Sequence, residues 1–280
     1  MFHESFDQEH ILTDTNQTKY LGCVLSSDGS NLQNIKSKVN KAIESRKKIK
    51  TLIKGLGKYT VESGIIYFKS LLRGSILYAA EAMVNLKEKD IKLIEKSEEA
   101  TLRDLVKTEF SAPRHLLYLE LGIIHARYVI KQRKIMFLKH ILMQNTNSLL
   151  RKVFNSQVKT PSKGDWTSEI QTILKDLNIN HTFEEIESIP KKKLSIIVKN
   201  AIQKHAFAYL IAIQKQKHKG RSIEYSYLKL QPYLRSYENI SLTTQREIFA
   251  LRIQMNHIQA NFCSSSQVQN CDKCNLALDN

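Results

Sequence analysis

The sequence predicts a mainly α-helical protein that opens with a short β-hairpin. Three observations carry this. Only 4 prolines and 9 glycines occur in 280 residues, too few for the many tight turns of a sandwich or barrel. Lys, Leu, Ile, Glu and Gln are abundant, a composition that favours helices. From residue 31 onward, apolar residues recur every three or four positions, the spacing that puts them on one helix face.

Residues 1–18 show no periodicity and read as a loose lead-in. Lys19 to Leu25 has the β-branched and aromatic content of a short strand, and Asp28-Gly29 is a turn signal, so a hairpin is expected over 19–30. Ser30 and Asn31 then stand ready to cap a helix. That helix runs to about Leu56, with Ile35, Val39, Ala42, Ile43, Ile49, Leu52, Ile53 and Leu56 as its apolar set. Gly55 and Gly57 end it.

A second helix fits Thr60 to about Met83, and a third, more acidic one fits Lys87–Lys107. After Pro113 come a short helix, His115–Leu121, and a long one, Ile123–Gln144. The loop Thr160–Trp166 is the best linker candidate and leads into an amphipathic stretch, Thr167–Leu177. Pro190 opens a helix to about Lys217, and a last helix fits Thr243 to about Ile258. The expected organisation is one helical region over 31–158, a second over 159–262, and a tail over 263–280.

The net charge of +16 favours polyanions, nucleic acid first and an anionic membrane surface second. The plain alternative is a soluble protein with a lysine-rich surface. Two windows concentrate the charge. The first helix carries Lys36, Lys38, Lys41, Arg46, Lys47, Lys48, Lys50 and Lys54 against a single acid, Glu44. Between Glu187 and Glu224 no acid occurs, while Lys191, Lys192, Lys193, Lys199, Lys204, Lys215, Lys217, Lys219 and Arg221 do. Arg127, Lys131, Arg133 and Lys134 (with Lys139) add a third basic face on the 123–144 helix. Lysine-rich helices with interleaved aromatics (Tyr59, Phe207, Tyr209) suit contacts that follow a phosphate backbone without reading bases.

The N-terminus is polar and acidic with no apolar signal core, and no uncharged apolar run approaches the length of a membrane span. Four cysteines make no disulfide framework, so the nucleus or cytoplasm is the expected location. Cys271 and Cys274 form a Cys-x-x-Cys, half of a zinc knuckle, with His257 and Cys263 upstream. No other cofactor is indicated. No Asp-Asp pair, Gly-x-x-x-x-Gly-Lys, Gly-x-Ser-x-Gly or His-Glu-x-x-His occurs, so no catalytic residue is assigned.

Several short segments in shared order resemble the region just past the palm of a non-LTR (LINE-type) retrotransposon reverse transcriptase. They are Lys19-Tyr20-Leu21-Gly22 with Ser27-Asp28-Gly29-Ser30, and Leu77-Tyr78-Ala79-Ala80-Glu81-Ala82, where Ala79 stands in the usual glycine position. Leu119-Glu120-Leu121-Gly122-Ile123, Lys131-Gln132-Arg133-Lys134, Lys163-Gly164-Asp165-Trp166 and Leu230-Gln231-Pro232-Tyr233-Leu234 follow. Asn261-Phe262 before Cys271 resembles the approach to the family's C-terminal knuckle.

The resemblance implies that Tyr20–Leu25 is a primer-grip-like palm edge and residues 31–107 a helical thumb that holds a primer–template duplex. It also implies that the catalytic aspartates would precede residue 1 and that the knuckle's closing His and Cys would follow residue 280. The expected function is therefore RNA or DNA backbone binding without sequence preference and without turnover. Two alternatives stay open: a helical module that binds a palm-containing partner or itself, and a retroelement relic with no function.

Overall fold

A computed structural model of the chain describes residues 15–55, 60–109, 111–162, 164–217, 223–235 and 240–253. The fold is mainly α-helical with one two-stranded antiparallel hairpin at its start. Strands β1 (Gln17–Tyr20) and β2 (Cys23–Ser26) pair with Tyr20 opposite Cys23 and Gln17 opposite Ser26.

The hairpin turn is Leu21-Gly22, inside the segment expected to be one strand. Both residues have positive φ, 44° and 80°, the conformation that two-residue hairpin turns require and that glycine supplies without strain. Asp28-Gly29 makes a second turn, closed by the Gly29 N–H donating to the Ser26 carbonyl at 3.0 Å. Asp28 also accepts from the Ser30 N–H at 2.9 Å, which leads the chain into α1 (Leu32–Gly55).

Helix α1 buries Ile35, Ala42 and Ile49, spaced by seven residues or two helical turns. Next come α2 (Val61–Tyr67), a single π-helical turn (Phe68–Leu72) and α3 (Arg73–Ile76), where one continuous helix was expected. The helical rod is unbroken from Val61 to Ile76 and ends there, short of Met83, and its apolar residues explain the wider turn within it. Phe68, Leu72 and Ile76 are fully buried at four-residue intervals, longer than the 3.6 of an α-helix, and the wider turn keeps all three inward. Helix α2 starts with a reciprocal Thr60/Ser63 capping box.

The acidic helix α4 (Glu88–Val106) packs on α1, and α5 (Arg114–Leu121) is buried from His115 to Leu121. Helix α6 (Ala126–Leu142) follows, then α7 (Leu149–Lys159), α8 (Trp166–Asp176) and α9 (Phe183–Ser188). Helix α10 (Lys191–Gln216) is the longest, and α11 (Leu242–Arg252) is the last described.

The core has two parts. The larger holds residues of α1 to α5, the start of α6 (Ala126, Ile130), the second half of α10 (Ala206, Leu210), and Leu228, Leu234, Phe249 and Ile253. The smaller joins Ile135, Leu138 and Leu142 of α6 to Phe154, Trp166, Ile170, Ile186 and the first half of α10 (Leu194, Val198, Ile202). The boundary expected near residue 159 falls within this second part. The Thr160–Trp166 segment links α7 to α8, which pack on each other and on α6.

Several contacts knit distant segments together. The indole N–H of Trp166 donates to the Glu81 carbonyl at 2.9 Å. Gly122, with φ +60°, lies under residues 229 and 230 so closely that a β-carbon would stand 2.2 Å from the Leu230 nitrogen. Glu120 is fully buried; its carboxylate accepts from Tyr225, from Tyr233 at 2.7 Å, and from the Arg252 guanidinium at 2.9 Å. The Gln231 N–H donates to the Glu120 carbonyl at 3.1 Å, which anchors the 223–235 segment along α5.

Candidate nucleic-acid interface

The basic residues singled out in the sequence divide into two sets that spacing alone did not separate. One set is internal. Lys38, on the apolar side of α1, is buried and its ammonium donates to the Tyr78 carbonyl. Burial lowers its pKa, as expected for an ammonium drawn out of water. Lys134 is likewise buried, donating to the Met83 carbonyl at 2.6 Å and paired with Glu169, and burial lowers its pKa too. Arg133 donates to the Leu77 carbonyl, and Lys131 pairs with Asp176 at 2.9 Å.

Helix α4 neutralises much of the rest. Its carboxylates form a spine that takes cations from four neighbouring elements. Asp104 holds Arg46 and, at 3.1 Å, Lys50. Glu98 holds Arg73 at 2.7 Å with both groups buried. Glu95 takes Arg114 at 2.8 Å and Arg127 at 2.9 Å, and Glu88 takes Arg127 as well. Burial opposes ionisation of Asp104 and Glu95, yet the arginine bonds prevail and hold both carboxyls below their ordinary range. Arg46 and Arg127 are therefore both committed to carboxylates of α4.

The other set faces water. Lys36, Lys41, Lys47, Lys48 and the partly committed Lys50 are exposed along α1. Lys191, Lys192, Lys193, Lys199 and Lys204 are exposed along the first half of α10. Each stripe rises over about 20 Å of helix, the reach of several phosphates along a strand. The side chain of Lys54 and the residues Tyr59, Lys219, Arg221, His257, Cys263, Cys271 and Cys274 lie outside what is described. Among the described residues no group of three or more His, Cys, Asp or Glu side chains could hold a metal ion. Nor is any described helix long and apolar enough to cross a membrane.

One functional candidate escaped sequence reasoning. Lys69, on the π-turn, is exposed, and its pKa is lowered by local desolvation and by the charges of Arg73 and Lys199. Mutual repulsion of this kind places Lys69 and Lys199 in one positive neighbourhood although 130 residues separate them. No local pattern in the chain signals it. With this geometry in hand, no family model, no curated protein and no solved structure matches the chain.

Proposed function

We propose that this protein is a helical nucleic-acid-binding module without turnover, gripping RNA or DNA by its backbone through the exposed lysines of α1 and α10. The supporting observation is the division of the positive charge. Buried and bridged cations are matched by carboxylates of α4, α5 and α8 or by carbonyls, while the two lysine stripes carry almost no carboxylate partners among the described residues. A surface of that kind binds phosphate polymers with little sequence preference.

The likeness to the thumb and post-thumb region of LINE-type reverse transcriptases fits this reading. Ala79, which stands where that family usually carries glycine, has φ +55°, a conformation that favours glycine. The segments that carry the likeness also touch: Gly122 meets Leu230, and Trp166 meets Glu81.

The test is fluorescence anisotropy against single-stranded RNA and an RNA–DNA duplex across a salt series. Log affinity should fall with log salt by several units of slope if about five or more phosphates are neutralised. Replacing Lys47, Lys48, Lys191 and Lys192 by Ala should weaken every sequence alike, while Lys159→Ala on α7 should change little. Flat anisotropy from a protein with a helical circular dichroism spectrum would sink the proposal.

A second reading rests on exposed apolar side chains of α7, Leu149 at 78% and Val153 at 49%, with Met143 at the end of α6 also 61% exposed. Such a patch suits a protein partner or a second copy. Concentration-dependent mass in sedimentation, without nucleic-acid binding, would favour it.

A further inference from the structure

We infer that a cavity between α5, the α5–α6 turn and the second half of α10 is a nucleotide pocket, taking one aromatic base and its attached phosphate. The cavity measures about 400 Å³, within the usual range for small-molecule sites. Among the described residues its walls include Pro113, Arg114, His125, Tyr209, Ile213 and Lys217.

Three features of the lining specify the ligand together. The first is an aromatic surface. His125 stacks on Tyr118 at a centroid distance of 3.8 Å and 15° between planes, and Tyr209 meets His125 edge-on at 5.7 Å. Tyr209 is 40% exposed, so part of its ring is open to an incoming flat group. Pro113 and Ile213 supply apolar contact for the same group.

The second feature is an unmet hydrogen bond. His125 is 3% exposed, and its Nδ1 has no hydrogen-bond partner among the described residues. A buried ring nitrogen without a partner is costly; His125 borders the cavity, and a small turn of its ring would bring Nδ1 to the edge of a nucleobase, which offers both donors and acceptors. The imidazole is neutral, since burial lowers its pKa to about 3. It therefore has one donor and one acceptor nitrogen and adds no charge to the base site.

The third is positive charge. Lys217 is exposed and carries no carboxylate partner among the described residues. Arg114 contributes less, because Glu95 at 2.8 Å and Glu99 at 3.4 Å already claim it. Inorganic phosphate would use Lys217 and leave the aromatic wall idle. A fatty acid would use the apolar wall and the cation but leave His125 unmet. A nucleotide meets all three.

This site is separate from the lysine stripes and has its own ligand, so either proposal can fail alone. The experiment is calorimetric titration of the full chain with AMP, GMP, CMP and UMP, with inorganic phosphate and ribose 5-phosphate as base-free probes. Saturable 1:1 binding of the nucleotides, purines at least as tight as pyrimidines, is expected, with much weaker binding of both base-free probes. Tyr209→Ala should weaken AMP about tenfold, the usual worth of one stacked base. Lys217→Ala, at an exposed helix end, tests the phosphate contact in a variant whose fold is not in question.

Phosphate binding as tight as AMP, or AMP binding indifferent to Tyr209→Ala, would overturn the inference. So would the absence of nucleotide binding by folded protein, even if RNA binds along the lysine stripes. Competition by AMP against a short labelled RNA separates the two sources of such a nucleotide. Displacement assigns the pocket to a base of a bound strand, and AMP binding without displacement assigns it to a free nucleotide.

Discussion

The carboxylate of Glu120 and the guanidinium of Arg252 meet at 2.9 Å although 132 residues separate them. Glu120 is fully buried, and two tyrosine hydroxyls complete its hydrogen bonds. Burial and the neighbouring carboxylate push both tyrosine pKa values upward, so both hydroxyls stay protonated donors. The pair fixes α11 to the far end of α5.

Glu120→Gln keeps the shape and removes the charge that Arg252 and both tyrosines share. The expected cost is about 2 kcal/mol, below the figure for a fully buried pair because Arg252 is partly exposed. The double variant with Arg252→Met should recover part of the loss. A thermodynamic cycle by urea unfolding measures the coupling; additive losses would show the ion pair to be incidental.

Gly122→Ala should be more damaging than its size suggests. The new methyl would collide with the backbone of Lys229 and Leu230, and φ +60° strains any residue with a β-carbon. A loss of at least about 2 kcal/mol is expected. Limited proteolysis should then cut within 223–253 faster than in the parent protein. Unchanged cleavage would mean that this segment does not depend on the crossing.

Ala79→Gly runs the other way. Ala79 has φ +55°, and the left-handed conformation costs a residue with a β-carbon about 1–2 kcal/mol. Glycine relieves that strain but gives back some of it as lost chain entropy, leaving a net gain of about 0.5–1 kcal/mol. A rise of a few degrees in melting temperature is the expected readout, and a fall would show the strain to be absent.

His125 should make the protein acid-sensitive. Burial lowers its folded pKa to about 3, against about 6.5 for an unfolded chain. Between those values the unfolded chain holds a proton that the folded chain does not, so stability drops as pH falls from about 7 toward 3. The loss at pH 5 is about 2 kcal/mol. Thermal melts at pH 7 and pH 5 should therefore differ more in the parent than in His125→Phe, whose ring can stack on Tyr118 without titrating. Equal differences would count against a buried neutral imidazole.

Much of the fold was readable from apolar spacing: α1, α4, α6, α8 and α10 lie within a few residues of where their periodicity put them. The helix over 60–83 was misread because four-residue intervals at Phe68, Leu72 and Ile76 look helical whether the turn is α or π. Helix α7 was missed because it buries only Arg151 and Phe154, which leaves almost no stripe to see. The Thr182/Glu185 capping box of α9 was legible and went unused.

The charges were half legible. Lys38 stands between Ile35 and Ala42, and Lys134 four residues from both Ile130 and Leu138, so helical spacing already put each lysine on a buried face. The α4 partners of Arg46 and Arg127 lie 58 and 32 or more residues away, and no local pattern predicts such pairings.

Helices α6 and α10 each run through both halves of the core: Ile130 and Ile135 on one, Ile202 and Ala206 on the other, fall on opposite sides of the divide. They act as shared rods. A rod cannot lose its packing at one end without loosening the other, so the two cores are expected to melt as one cooperative unit. No cut between them leaves two intact pieces, because every such cut passes through the middle of a helix.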